Sequence, residues 1–180
     1  MNLYLDASVV VALLTKDVFT SRAETYLLAN APVLIVSDFA AAEFASVIAR
    51  QLRVREITEP IARVVFTELD AWVIRTTEHA ETTTADIVAA AGALRRLDLP
   101  LRTADAVNIA IARRIGATLM TFDEKMAASA KALMSVRLAA CTVVARLLQN
   151  RQTSPRARPR APAADHWQAP ARAPALRSIE

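Results

Sequence analysis

Short continuous apolar runs alternate along this chain with longer stretches whose apolar positions recur every three or four residues. NLYLD at 2–6 and VLIV at 33–36 are runs of strand length, too short for buried helices. Between them, ASVVVALL and SRAETYLLAN have helical character. From Ser37 to about Arg53 the pattern stays helical, with Phe44, Ile48 and Leu52 repeating on one face and Asp38 placed as a cap. ITEPIARVVFTELD predicts another helix, where Pro60 suits the first turn because its missing amide costs nothing there. WVIRTT predicts a third strand. A helix is expected from about His79 to Leu97, with His79 on its surface, although Gly92 and the threonines at 82–84 oppose it.

DLPLR reads as a turn delivering the chain to TADAVNIAIARRIGA. That helix is apolar on most sides, which predicts burial, and Gly116 closes it as a C-terminal glycine should. TLMTF predicts a fourth strand, EKMAASAKAL a helix, SVRLAA a candidate fifth strand and CTVVARLLQN a final short helix. Strands alternating with helices predict an α/β domain with a parallel sheet of four to five strands between helices.

Composition divides the 180 residues in two. The net charge of +4 belongs wholly to residues 151–180, where six arginines face Asp165 and Glu180; residues 1–150 are balanced. Five of the eight prolines also fall after Asn150, and no apolar period survives there. The expected organisation is a folded domain over 1–150 and a Pro/Arg-rich tail over 151–180, disordered or loosely extended. The basic balance is therefore not evidence for a basic face on the body. Cys141 is the only cysteine, and His79 and His166 are isolated, which argues against disulfides and a zinc site and for a reducing cytoplasm. No apolar run is long enough to span a membrane, and Asp6 interrupts the N-terminus too early for a signal peptide.

Candidate chemistry lies in four acids, each where a strand-like run gives way to a helix: Asp6 after NLYL, Glu43 in AAAEFA, Asp105 in TADAV and Asp123 after TLMTF. In open parallel sheets ligands bind beyond the carboxyl ends of the strands. Four acids gathered at one such edge repel one another unless a cation neutralises them. Capping accounts for Asp105 and Asp123, which stand in the first turn of their helices. It does not account for Glu43 in a second turn, or for Asp6 closing a buried strand. No basic residue is placed by the sequence to pair with all four.

YLDAS at 4–8, Glu43 in AAAEFA, TADAVNIAIA at 103–112 and MTFDEKMA at 120–127 together resemble the PIN-domain ribonucleases, and within them the VapC-type toxins of toxin–antitoxin pairs. The resemblance covers residues 1 to about 135. It implies a three-layer sandwich around a parallel sheet, and an Mg²⁺- or Mn²⁺-dependent endoribonuclease leaving a 5′-phosphate and a 3′-hydroxyl. It carries the acidic quartet onto Asp6, Glu43, Asp105 and Asp123. Asp6 and Asp123 are expected as direct ligands, Asp105 directly or through water, and Glu43 beside the attacking water. Ser8 takes the place of a hydroxyl supporting the first acid. Thr121 matches a hydroxyl that bonds within the site, though threonine is also at home in strands. Asn108, one turn after Asp105, either faces the same pocket or is a buried polar group bonded to backbone. Glu124 reads as a first-turn acid outside the quartet. The implied partners are an RNA substrate, a small cognate antitoxin and a second copy of the chain.

Other classes fit less well. A haloacid-dehalogenase-like phosphatase needs an acid two residues after Asp6, where Ser8 stands, and a response-regulator receiver needs an acidic pair near the first strand. The alternative of a different kind is a PIN-like scaffold that only binds RNA or a partner. Aromatics are 5% of the chain, so no platform for stacking bases is evident.

Overall fold

A computed structural model describes residues 1–15, 17–133, 138 and 139. The helix expected in CTVVARLLQN and the tail at 151–180 lie outside these residues. The described elements run β1 (Asn2–Leu5), α1 (Ala7–Leu14), α2 (Thr20–Asn30), β2 (Val33–Ser37), α3 (Asp38–Arg53), α4 (Glu59–Thr76), β3 (Thr77–Ala80), α5 (Thr84–Leu94), α6 (Thr103–Arg114), β4 (Thr118–Met120) and α7 (Glu124–Ala132). The strands form one parallel sheet in the order β3-β2-β1-β4.

Strand side chains alternate between faces, and two cores follow. Leu3, Leu5, Leu34, Val36 and Met120 face a layer built from α1, α3 and α4, where Phe44, Ile48, Val65, Leu69 and Trp72 are buried. Tyr4, Ile35 and Leu119 face the opposite layer, where α5, α6 and α7 contribute Ala90, Val107, Ile109, Ile111 and Met126. This is the expected three-layer α/β sandwich. The chain leaves β1 toward β2 on one side and reaches β4 on the other, so the topological switch point lies between β1 and β4.

The sequence pattern misplaces the third strand. All of WVIRTT but its last threonine lies in α4, whose buried positions Ala62, Val65, Leu69 and Trp72 carry the helical period toward its end, and Thr77 opens β3. The β-branched residues there do not alternate in burial, and Ile74 is 82% exposed. The strand is instead Thr77–Ala80, paired with β2 at Leu34↔Thr77 through Ser37↔Ala80. Glu78 and His79 are exposed on this sheet-edge strand, where charge discourages further pairing. His79 is thus a strand residue, not a helical one. Helix α5 begins only at Thr84, because Thr83 caps it: its hydroxyl accepts from the Asp86 amide while the Asp86 carboxylate accepts from the Thr83 amide.

Helix α3 is capped by Ser37, whose Oγ accepts from the Ala40 amide at 3.0 Å. Asp38, expected as that cap, is the next residue; its carboxylate accepts from the amides of Phe39 and Thr82 and ties down the entry to α5. Gly116 takes φ +65 after α6, a left-handed conformation that other residues adopt only with strain. Of the expected fifth strand, the described residues show a single parallel bridge between Leu138 and Leu119.

Candidate active site

Asp6 stands immediately after β1 and is the N-cap of α1. Its Oδ1 accepts from the Ser8 hydroxyl at 2.6 Å and the Val9 amide at 3.2 Å, and its Oδ2 from the Thr121 hydroxyl at 2.7 Å. Capping therefore does reach Asp6, contrary to the expectation from sequence; the buried strand end and the helix start are the same residue. The carboxyl is 5% exposed. Burial pushes its pKa up to about 6, against the downward pull of Ser8, Thr121 and Val9, and the Glu43 charge raises it further.

Thr121 lies just past β4 and joins two acids, since its Oγ1 also accepts from the Asp123 amide at 3.0 Å. The Phe122 amide donates to Ser8 Oγ at 2.9 Å, so the segment after β4 is stitched onto the β1–α1 junction across the switch point. Asp123 caps α7 through Oδ1, which accepts from the amides of Lys125 and Met126 at 2.8 and 3.0 Å. Its Oδ2 faces the site.

Asp105 occupies the first turn of α6 and is 6% exposed, with Oδ2 accepting from the Arg102 amide at 3.0 Å. One turn on, Asn108 is buried and resolves the two alternatives posed by the sequence by doing both. Its Nδ2 donates to the Ala104 carbonyl at 3.1 Å and to Glu43 Oε2. Its Oδ1 accepts from the Tyr4 hydroxyl at 2.6 Å. Glu43, partly buried on α3, is held above the ordinary glutamate range by that burial, opposed by the Asn108 hydrogen bond and reinforced by the Asp105 charge.

The four acids thus meet at one sheet edge through a chain of contacts. Asp6 and Asp123 share Thr121, Asp123 and Asp105 share Arg102, and Glu43 feels the charges of both Asp105 and Arg102. Arg102 was not anticipated. Its Nη2 lies 2.6 Å from Asp123 Oδ2 and its Nε 3.4 Å from Asp105 Oδ2. The legible signal was its position, at the N-cap three residues before Asp105. Tyr4 and Ser37, 2.7 Å apart at their hydroxyls, were also missed.

Among the described residues, no three acidic, histidine or cysteine side chains stand in an arrangement that would hold one ion as they lie. Chemically the set still suits a hard divalent cation: the candidate ligands are all carboxylate oxygens, which favour Mg²⁺ or Mn²⁺ over zinc. The Asp6 carboxyl is raised chiefly by burial, and a divalent ion beside it would favour its charged form. Beside the site, Phe122 stacks on Phe19 with centroids 4.7 Å apart, and the Arg22 guanidinium lies 5.7 Å from the Phe122 ring centre.

Residues 3–132 match the family model described as PIN domain. Solved structures with the same fold include VapC20 of Mycobacterium tuberculosis, a sarcin-ricin loop cleaving toxin, at 20% identity over 71% of this chain and 94% of that one, TM-score 0.58. FitAcB from Neisseria gonorrhoeae is 16% identical over 77% of this chain and 97% of that one, TM-score 0.60. VapBC2 from Rickettsia felis, bound to a DNA fragment from its promoter, is 17% identical over 77% and 97%, TM-score 0.56. At these identities the likeness is one of fold. No curated protein matches the sequence.

Proposed function

The chain belongs to the PIN-domain family, and we propose on that footing that it is a metal-dependent endoribonuclease, the toxin of a toxin–antitoxin pair. The observation that carries this is the convergence of Asp6, Glu43, Asp105 and Asp123 on the carboxyl-terminal edge at the β1/β4 switch point, where Thr121 joins the first acid to the last. Asp6, Asp105 and Asp123 would hold Mg²⁺ or Mn²⁺. The ion, when bound, supplies an activated water and a counter-charge for the phosphodiester transition state.

The remaining work falls to protein groups. Ser8 and Thr121 each occupy one oxygen of Asp6 and fix the plane of its carboxylate. Asp123 keeps Oδ2 toward the site because the α7 amides hold Oδ1. Glu43 is oriented by Asn108, and burial makes it a better proton acceptor than a solvated glutamate, which suits a group taking a proton from the attacking water. Hydrolysis in this sense leaves a 5′-phosphate and a 3′-hydroxyl.

VapC20 cleaves the sarcin-ricin loop, and VapBC2 is a complex bound to promoter DNA. The toxin assignment is supported by the shared fold, and an antitoxin partner follows from it. Self-association is part of the same proposal: Ile87 and Val88 on α5 are 49% and 67% exposed, on a face without charged neighbours in its middle. Among the described residues no helix is long and apolar enough to cross a membrane.

The test is expression in a bacterial host with and without the adjacent small reading frame. The chain alone should arrest growth, co-expression should restore it, and Asp6→Asn should be harmless. Toxicity unchanged in Asp6→Asn removes the site from the explanation. A PIN-like scaffold that acts only by binding predicts that unchanged toxicity.

A further inference from the structure

Arg102 places a cation on Asp123 Oδ2 and beside Asp105, two of the acids that the metal assignment needs. As N-cap of α6 its main chain is fixed by the bond from its amide to Asp105 Oδ2. The guanidinium then reaches back to Asp105 Oδ2 and across to Asp123 Oδ2. With Oδ1 of Asp123 committed to α7, Oδ2 is the oxygen Asp123 has to offer a ligand. A guanidinium cannot shed its charge at any accessible pH. A divalent ion and Arg102 therefore compete for Asp123 Oδ2 and repel each other across the two carboxylates.

Releasing Arg102 is not costly. Its side chain is 70% exposed and re-enters water readily, and an ion that takes its place restores the counter-charge that Asp105 and Asp123, 9% and 27% exposed at their side chains, would otherwise lose. It already lines an open groove of about 460 Å³, together with Pro100, Phe122, Asp123, Glu124 and Lys125. A guanidinium freed from Asp123 stays tethered at the rim of this groove, near Lys125. Two cations there, one of them a planar fork suited to bidentate phosphate contact, would form a phosphate-binding edge next to the carboxylates.

We infer that Arg102 is a built-in competitor for the divalent ion, held by Asp105 and Asp123 until the ion displaces it, and that the displaced side chain then binds a phosphate of the RNA in the adjoining groove. The second half rests on the ribonuclease assignment; the first does not. The two halves predict opposite signs for one substitution. Removing the guanidinium strengthens ion binding and weakens RNA binding, whereas a purely structural arginine would weaken both or neither.

The experiment uses full-length protein stripped with EDTA, wild type and Arg102→Gln. Calorimetric titration with Mn²⁺ should show the variant binding about fivefold more tightly. In NMR spectra of the wild type, the arginine Nε–Hε signal that is missing from Arg102→Gln should shift as Mg²⁺ is added, with the same midpoint as binding. Cleavage of a short RNA at saturating Mg²⁺ should show KM raised about tenfold with kcat nearly unchanged. Equal or weaker Mn²⁺ binding by the variant, or an Arg102 signal indifferent to saturating Mg²⁺, overturns the competition. An unchanged KM overturns the phosphate role. If Mn²⁺ binds as expected but neither protein cleaves RNA, the ribonuclease assignment fails while the competition stands; if neither binds the ion, both fail.

Discussion

The Tyr4 hydroxyl lies 2.6 Å from Asn108 Oδ1, and this contact decides which way the Asn108 amide faces. The oxygen of an amide only accepts, so Tyr4 must donate, and the Nδ2 end is turned toward Ala104 and Glu43. Ser37 Oγ accepts from the Ala40 amide and sits 2.7 Å from the Tyr4 oxygen, to which it is left to donate. Burial raises the Tyr4 pKa well above the ordinary tyrosine value, so the hydroxyl keeps its proton across the working range. Donation thus runs one way, from Ser37 through Tyr4 and Asn108 to the accepting carboxylate of Glu43.

Tyr4→Phe breaks this series in its middle and strands a buried acceptor on Asn108. Stability to denaturant should fall by about 1–3 kcal/mol, the cost of an unsatisfied buried polar group. With the amide free to turn over, kcat for RNA cleavage should fall about tenfold with little change in KM. A variant that unfolds earlier yet cleaves with wild-type kcat would confine Tyr4 to a structural role.

Asp6 should make the protein less stable as pH rises, in the presence of EDTA. Its folded pKa, about 6, lies above the unfolded value near 3.8. Between those values the folded state holds a proton that the unfolded chain has released. Asp6's contribution is therefore fully present below about pH 4 and lost as pH passes 6, a change on the order of 3 kcal/mol at most. Asp38 and Asp86, whose pKa values are lowered, slope the other way. The readout is accordingly the difference between wild type and Asp6→Asn, measured by urea unfolding at pH 4.5 and 7.5. Asp6→Asn should gain on wild type at the higher pH; a constant difference would mean that Asp6 is not the buried, charge-starved acid described here.

Asp86 serves as an acid outside the site. It is 1% exposed, lies 2.8 Å from Arg114 Nε and completes the cap of α5 with Thr83. Asp86→Asn should destabilise the fold by about 1–3 kcal/mol, because a buried carboxylate loses its charge-assisted bonds to Arg114 and to the Thr83 cap. Mn²⁺ affinity of the folded variant should be unchanged when titrated below its melting temperature. Loss of ion binding in a folded Asp86→Asn protein would extend the site beyond the quartet.

Residues 151–180 are proposed to be dispensable for folding, because their prolines and lack of apolar period leave nothing to bury. A chain ending at Asn150 should melt within a few degrees of the full-length protein, and any loss of RNA affinity should diminish at high salt. A fall of many degrees by calorimetry would show that the tail packs on the domain.

The sequence made the strands that end at an acid easy to see, since Asp6 and Asp123 each terminate a short apolar run before a helical pattern. WVIRTT misled because β-branched and aromatic residues suit a strand, while the burial of Leu69 and Trp72 on one face keeps the segment in α4. The strand that does form, Thr77–Ala80, has only one buried residue and leaves no apolar signature. Within the site, Ser8 and Thr121 were legible through the family resemblance, which carries a supporting hydroxyl onto each. Tyr4 was not: its partner Asn108 is 104 positions away, and a tyrosine in an apolar strand looks like any core residue. Arg102 escaped because its local contact with Asp105 reads as ordinary capping, while its reach across the sheet edge to Asp123 spans 21 positions.

The central claim is that Asp6, Glu43, Asp105 and Asp123 act together on RNA through a divalent ion. It is tested most directly by following a labelled RNA with purified wild type and the variants Asp6→Asn, Glu43→Gln, Asp105→Asn, Asp123→Asn and Asp86→Asn, each in Mg²⁺ and in excess EDTA. Wild type and Asp86→Asn should cleave in Mg²⁺ and stop in EDTA, and each quartet variant should lose cleavage by about a hundredfold or more while staying folded. Wild-type cleavage undiminished by EDTA, or full activity in any folded quartet variant, would contradict the account.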